Sequence, residues 1–147
     1  MNLEKIHNTI SKAVFTLNAH KLGMDDTHEH FIIGDSYHCY RIPKHDFLFS
    51  VRQLLSKGIK EVRAFTRVFE NIPDTPAIKT GNLKDGFKAN YPFIELNADG
   101  ELIYIDTQLL KNFDKSCTFT GTKHNAPVYV WESGECVGLV LPVHIKN

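Results

Sequence analysis

The densest group of chemically active side chains lies between residues 25 and 30. It comprises Asp25, Asp26, His28, Glu29 and His30. Alternate residues of a β-strand project from one face, so His28 and His30 would point the same way and form half of a zinc site, which Asp25 or His20 could complete. Because no HExxH or CxxC pattern supplies further ligands, a polar loop entering a strand is the favoured interpretation. The sequence therefore predicts neither a bound metal nor a cofactor.

The thiols are the next candidates for chemistry. Cys39, Cys117 and Cys136 are odd in number and none belongs to a CxxC pair, which indicates free thiols in a reducing cytosol. Cys117 and His124 flank a turn and could form a thiolate–imidazole pair, although a small buried hydrophobe is the commoner role of a free cysteine. The chain also lacks GxSxG, Walker and GxGxxG motifs, so the sequence predicts a protein that is not an enzyme.

The composition is that of an ordinary globular protein. The 147 residues fit a single domain over residues 1–147, with 42% hydrophobic and 23% charged residues. Seventeen basic side chains balance seventeen acidic ones, so DNA contact would need a local cluster of Lys and Arg. No apolar run approaches the roughly 20 residues of a membrane span, which predicts a cytoplasmic protein without membrane contact.

Three segments have the features of helices. Apolar residues recur at helical spacing from Leu3 to Leu17 and predict an amphipathic first helix. A second helix is predicted over 47–55, with Asp46 as its N-cap and Gly58 at its end. A short third helix follows Asp106 and carries Leu109, Leu110 and Phe113.

Turn residues divide much of the remaining sequence into three hairpins. The turns are Gly34-Asp35-Ser36, Asn97-Ala98-Asp99-Gly100 and Ser133-Gly134-Glu135. A further strand is predicted over Ile59–Phe69, whereas 21–26 and 71–82 are predicted to be loops. The final strand, Cys136–Ile145, is almost continuously apolar and is expected to be central and buried.

Together these elements predict an α+β fold, with an antiparallel sheet of about six to eight short strands and three helices on one side. The strand that ends at Ile42 leads into the second helix, much as the strand that ends at Ile105 leads into the third. This similarity predicts an internal repeat of strand–helix–strands units.

The C-terminal third carries a more specific pattern. The strand and helix of 102–110 are followed by the strand Pro127–Glu132 and the terminal stretch Val137–Ile145. This order resembles the closing segment of bacterial replicative sliding clamps, whose last strand ends in a Met-Pro-Met-Arg-Leu type of motif. Leu141-Pro142-Val143-His144-Ile145 takes the place of that motif here. His144 replaces the Arg of the family, and the chain has room for about one of the family's three domains.

The resemblance implies an apolar pocket beside the last strand that receives short peptides of DNA-processing proteins. By position, the residues of that pocket would be Leu141, Pro142, Val143 and His144. The resemblance also implies helix cations that face DNA, and the corresponding residues are Arg52, Lys57, Lys111 and Lys115. Such cations contact phosphates without reading the sequence. From the residues alone, a core strand and a solvated helix face remain the alternatives.

Basic and aromatic side chains also alternate from Arg63 to Phe69. On the predicted strand, Phe65 and Phe69 would share one face with Arg63 and Arg67, in alternation, and form a platform for stacked bases. A half-covered sheet face is the alternative interpretation.

Two functions are therefore compared. The first is a non-catalytic, clamp-like binding protein that engages DNA, independently of its sequence, or a DNA-processing protein. A homo-oligomer is compatible with this function, although a closed ring would need many copies of so short a chain. The second is a small inhibitor or adaptor that binds one protein partner without nucleic acid, of a size common in mobile elements. A metal-dependent hydrolase that uses His28 and His30 is the third and weakest interpretation.

Overall fold

The computed structural model describes residues 1–88 and 91–145, and the backbone alone of residues 87 and 88. The chain forms two compact units, Met1–Asn71 and Ile72–Asn147. The single domain expected over residues 1–147 stays a prediction.

The first unit begins with the predicted amphipathic helix, α1 (Leu3–Phe15). Asn2 caps it, because its side-chain oxygen accepts a hydrogen bond from the backbone N–H of Lys5. Ile6 and Ile10, one turn apart, are both 2% exposed and place the apolar face of the helix in the core. The prediction of this helix is confirmed.

Four strands follow in this unit: β1 (Gly23–Asp26), β2 (His30–Gly34), β3 (His38–Pro43) and β4 (Lys60–Glu61). Their order in the sheet is β4-β1-β2-β3, in which only the short β1–β4 pair is parallel. The hairpin of β2 and β3 is confirmed. The loop predicted over 21–26 is wrong, because Gly23 to Asp26 pair with Gly34 to Phe31 as a regular antiparallel ladder.

The second helix, α2 (Val51–Ser56), is shorter than predicted. Ser50 caps it by accepting from the N–H of Gln53, whereas Asp46 belongs to the preceding 3-10 turn Lys44–Asp46. The expected end at Gly58 is confirmed: its φ of 99° is the left-handed conformation that follows a helix and favours glycine.

The strand predicted over Ile59–Phe69 is wrong. Only Lys60 and Glu61 pair as β4, and Ala64–Arg67 form the single-turn helix α3. The buried Asp25 carboxylate accepts hydrogen bonds from both the N–H and the hydroxyl of Thr66, which fixes the helical turn. The alternating face that would have carried a stacking platform of Phe65 and Phe69 therefore does not form.

The second unit contains a three-stranded sheet of order β5-β6-β7. Its strands are β5 (Ile78–Lys88), β6 (Tyr91–Ala98) and β7 (Glu101–Asp106). The Asp99-Gly100 turn between β6 and β7 is confirmed, and both residues have positive φ, 52° and 91°. Leu96, Ile103 and Ile105 are completely buried and form the core face.

The loop predicted over 71–82 is wrong from Ile78 onward, where β5 begins. Gly81 lies inside this strand with a φ of 90°, at an irregularity rather than in a loop. Between Lys79 and Leu83, β5 advances four residues while β6 advances two, and the same shift recurs between Lys84 and Lys88. These two bulges hide the regular alternation of a strand.

The remaining strands, β8 (Thr118–Thr120), β9 (Val128–Glu132) and β10 (Glu135–Val140), form an antiparallel ladder of order β10-β9-β8. The Ser133-Gly134 turn is confirmed. The last strand ends at Val140 rather than at Ile145. The side chain of Asp106 accepts a hydrogen bond from the backbone N–H of Gln108, which is the cap that was expected. The element that it caps is only the 3-10 turn Thr107–Leu110 and not an α-helix.

The predicted α+β class with antiparallel sheets is confirmed. The described part of the chain contains three α-helices, but the third is Ala64–Arg67 and not the helix that was predicted after Asp106. The predicted repeat is present only in part. Both β3 and β7 lead into a 3-10 turn, but an α-helix follows only the turn after β3, whereas β8 is the next element after the turn that follows β7. No helix within residues 1–88 and 91–145 has the length and apolar character to span a bilayer.

Candidate functional site

A groove of about 720 Å³ opens on the second unit. The residues that line it are Leu83, Lys84, Asp85, Phe93, Val143, His144 and Ile145. Four of these side chains are apolar and three are polar or charged. Such a lining suits a ligand that buries apolar groups and is oriented by a few polar contacts.

The segment 141–145 follows β10 without forming a strand, and its residues 143–145 make one wall of the groove. The N–H of Val143 donates a 2.7 Å hydrogen bond to the carbonyl of Tyr104 in β7. Two of the four predicted pocket residues, Val143 and His144, lie in the lining. Leu141 is 39% exposed and, with Pro142, lies just before the lined part.

Beside the groove, the three-stranded sheet contains a buried carboxylate with three side-chain donors. Glu95 Oε1 accepts from the Thr80 hydroxyl at 2.8 Å and from the Asn82 amide at 3.0 Å. Glu95 Oε2 accepts from the Tyr104 phenol at 2.8 Å. Since β5 and β7 lie on opposite sides of β6, this one carboxylate joins all three strands.

These hydrogen bonds shift the acid–base properties of both ends of the network. The amide of Asn82, then the hydroxyls of Tyr104 and Thr80, lower the pKa of Glu95, because each stabilises the ionised form. The pKa of Tyr104 is raised, first by its hydrogen bond to Glu95, since a phenolate would repel that carboxylate. Glu95 is therefore a fixed anion and Tyr104 a fixed donor.

Lys84 connects this network to the groove. Its ammonium lies 4.8 Å from the centre of the Tyr104 ring, a cation–π distance, and Lys84 also lines the groove. Its charge contributes to the lowered pKa of Glu95. The ring of Tyr104 thus holds an exposed cation at one side of the groove.

Sequence reasoning missed Glu95 and Lys84. The available signal for Glu95 was a single carboxylate within the apolar strand Tyr91–Leu96. For Lys84 no local signal existed, because Glu95 and Tyr104 come near it only when β5, β6 and β7 pair.

The four cations predicted to face DNA are all exposed. Arg52 lies in α2 and Lys57 is the C-cap of that helix. Lys111 follows the 3-10 turn Thr107–Leu110, and Lys115 lies in the turn after it, so neither is carried by an α-helix. Their contact with DNA stays a prediction, and the description of all four as helix cations is wrong for Lys111 and Lys115.

The polar cluster near residue 28 is divided between a turn and two strands. His28 lies in the bend between β1 and β2, and His30 is the first residue of β2. Asp25 is used by Thr66, as described above. Among the residues that the structure describes, no group of three or more His, Cys, Asp or Glu is arranged to hold a metal ion.

A carboxylate–imidazole–phenol chain occurs at the β2–β3 turn. Asp35 Oδ1 lies 3.0 Å from His38 Nδ1, and His38 Nε2 lies 3.1 Å from the Tyr40 hydroxyl. Burial raises the pKa of Asp35, but the hydrogen bonds and charge of His38 outweigh it and leave that pKa lowered. Asp35 also accepts hydrogen bonds from the backbone N–H groups of Tyr37 and His38, and Tyr40 is buried. This series of hydrogen bonds therefore stabilises the turn and is not placed to contact a substrate.

The structure gives no support to the thiolate–imidazole pair considered for Cys117, because the ring of His124 is hydrogen-bonded to Glu101 and His124 is not among the groups that shift the pKa of the Cys117 thiol. His124 Nδ1 lies 2.7 Å from Glu101 Oε1, and the backbone N–H of His124 donates to the same oxygen. Burial raises the pKa of the Cys117 thiol, which disfavours the thiolate that a nucleophile requires.

No protein-family model, no curated protein and no solved structure matches this chain.

Proposed function

We propose that this chain is a non-catalytic binding protein that receives a short apolar peptide of a DNA-processing protein in the groove of its second unit. The observation that carries the proposal is the groove itself, about 720 Å³ and lined by Leu83, Phe93, Val143 and Ile145 together with three polar residues. The likeness of the segment 141–145 to the closing motif of sliding clamps supports a DNA-processing protein as the source of the peptide.

The apolar part of the lining favours a peptide with apolar side chains. The volume of the groove lies within the roughly 300–1,000 Å³ that is usual for ligand sites. Leu83 is 63% exposed at the rim, where a partner's apolar side chain would cover it.

The charges of the lining indicate what the peptide carries. Lys84 is held in place by the Tyr104 ring and offers its ammonium at the groove. A peptide with two large apolar residues and one carboxylate would bury the former and pair the latter with Lys84. The same peptide with lysine in place of the carboxylate would meet a like charge.

The experiment is fluorescence anisotropy with the full chain and two labelled pentapeptides, which contain Leu and Phe together with either Asp or Lys. We expect the Asp peptide to bind and the Lys peptide to bind at least about tenfold more weakly, which corresponds to 1.4 kcal/mol. Val143→Asp places a charge in the apolar wall and should abolish binding of the Asp peptide. Leu48→Asp, at an exposed apolar residue of the first unit, is the matched control and should leave it unchanged.

Equal binding by the wild-type and Val143→Asp chains would refute the groove as the site. If a labelled DNA single strand competed with the peptide for binding, nucleic acid and not a peptide would be the ligand of the groove. A partner captured from lysate after nuclease treatment, and unrelated to DNA processing, would favour the inhibitor or adaptor function.

A further inference from the structure

Two imidazoles that are twenty positions apart in the sequence meet on the second unit. The rings of His124 and His144 have centroids 6.1 Å apart and planes tilted by 37°. Both residues are exposed. His144 belongs to residues 143–145, which form one wall of the groove, whereas His124 lies in the loop between β8 and β9.

Glu101, the first residue of β7, orients one of these rings. Its Oε1 lies 2.7 Å from His124 Nδ1 and also accepts from the N–H of His124 at 3.2 Å. Oε1 accepts the backbone N–H of His124, so it acts as an acceptor toward the ring nitrogen as well. The proton of neutral His124 therefore lies on Nδ1, and Nε2 keeps its lone pair for a ligand.

We propose that His124 and His144 form a two-imidazole site for a divalent transition metal, with zinc as its natural occupant. A carboxylate that accepts from one ring nitrogen while the other binds metal is the usual surrounding of a zinc-bound histidine. Imidazole is also a preferred ligand of zinc, copper and nickel.

The observed separation is close to what a metal requires. Two imidazoles bound to a tetrahedral zinc, with Zn–N bonds of about 2.0–2.1 Å, bring their centroids to roughly 5 Å. The present 6.1 Å needs a closure of about 1 Å, which rotation of two exposed side chains provides. Glu101 stays hydrogen-bonded to His124 and does not bind the metal. Water would therefore occupy the other coordination positions of the metal.

A metal at this position would act on the groove. It would tie the segment 141–145 to the loop that Glu101 anchors, in addition to the hydrogen bond of Val143 to Tyr104. The wall formed by Val143, His144 and Ile145 would then be fixed before a peptide arrives. This consequence for binding rests on the proposed function of the groove, but the metal site itself does not.

The test is a calorimetric titration of the full chain with zinc chloride at pH 7.5, without any peptide. We expect one zinc per chain, and its loss in His144→Ala, which changes an exposed side chain. Glu101→Gln should weaken zinc binding by about 10–100-fold, because the ring of His124 is no longer oriented. His45→Ala removes an exposed histidine of the first unit and should leave the isotherm unchanged.

The exchange of the Val143 amide gives an independent readout. Saturating zinc should slow its hydrogen exchange at least about threefold in the wild-type chain and leave it unchanged in His144→Ala, because only a bridged segment resists local opening. Zinc binding that survives His144→Ala, or that leaves the exchange of Val143 unaltered, would overturn the proposal. Failure of peptide binding with these zinc results intact would refute only the proposed function.

Discussion

The phenol of Tyr104 donates a 2.8 Å hydrogen bond to Oε2 of Glu95, the residue directly opposite it in the β6–β7 ladder. With Thr80 and Asn82 on β5, this pair gives the sheet beside the groove a charged centre with three side-chain donors. A shift of β5 or β7 by a single residue would remove the donors that this strand supplies, and a shift of β6 would remove all three. The network therefore specifies the register of all three strands.

The first prediction is that Glu95→Gln changes how stability depends on pH. The pKa of Glu95 is lower in the folded chain than its ordinary 4.5, so ionised Glu95 stabilises the fold above about pH 4.5. That stabilisation is lost as the pH falls through the folded pKa. We expect wild type to exceed Glu95→Gln in stability at pH 7, with a difference that shrinks below about pH 4.5.

Urea denaturation between pH 3 and pH 7 measures this difference. Glu135→Gln, at the exposed start of β10, is the matched control and should follow wild type throughout. A difference between wild type and Glu95→Gln that stays constant from pH 7 to pH 3 would contradict the prediction.

The second prediction concerns the contact that fixes α3. Thr66→Val keeps the shape of the side chain but removes the hydroxyl that donates to buried Asp25. Loss of that donor should lower the free energy of unfolding by about 1–3 kcal/mol, because a buried acceptor is left with fewer partners. Thr9→Val, on the exposed face of α1, should change it by less than about 0.5 kcal/mol. Equal effects of the two substitutions would show that Asp25 does not hold this turn.

The third prediction is that Leu17→Gly stabilises the chain. Leu17 follows α1 with a φ of 60°, and the N–H of Asn18 reaches back to the carbonyl of Ala13, which is the pattern of a Schellman C-terminus. An L-residue is strained in this conformation and glycine is not, so the free energy of unfolding should rise by about 0.5–1 kcal/mol. The side chain is 85% exposed, so its removal sacrifices little packing.

A comparison of the melting temperatures of Leu17→Gly and Leu17→Ala separates the effect of backbone strain from the effect of side-chain packing. Alanine removes the same exposed side chain but keeps the strain, so it should not raise the melting temperature. If both variants melt below wild type, then Leu17 makes contacts that outweigh its backbone strain.

The fourth prediction concerns DNA. Anisotropy of a labelled duplex should rise with protein at low salt and fall as salt increases, if Arg52 and Lys111 contact phosphates. Replacing both by Ala should weaken this binding, whereas Lys12→Ala, at another exposed cation, should not. Absence of binding by the wild-type chain at low salt would remove DNA as a ligand and leave the peptide groove unaffected.

The elements that could be predicted are those whose cause is local. Asp99-Gly100 and Ser133-Gly134 adopt the positive φ angles that a two-residue hairpin turn requires, and their residue types announce it. The strand predicted over Ile59–Phe69 was wrong because the conformation of this segment depends on a hydrogen bond to Asp25, about forty positions earlier. β5 was missed because its two bulges interrupt the alternation on which strand prediction depends.

The candidate site was predictable only in part for the same reason. The resemblance of 141–145 to a family motif led to the choice of Val143 and His144, and both line the groove, whereas their role in binding stays a prediction. The pairs Glu95–Tyr104 and Glu101–His124 join residues from different elements, so neither has a spacing that a sequence pattern would reveal. Strand register decides these contacts, and register follows from the whole fold.

The bulges of β5 have a consequence for how the protein behaves in concentrated solution. β5 is an outer strand of its sheet, and a straight outer strand is a template onto which another chain can add. Two interruptions of its ladder and the exposed ammonium groups of Lys79 and Lys84 make this edge a poor template. These features oppose the addition of another chain at the β5 edge, and they therefore oppose fibril growth through it.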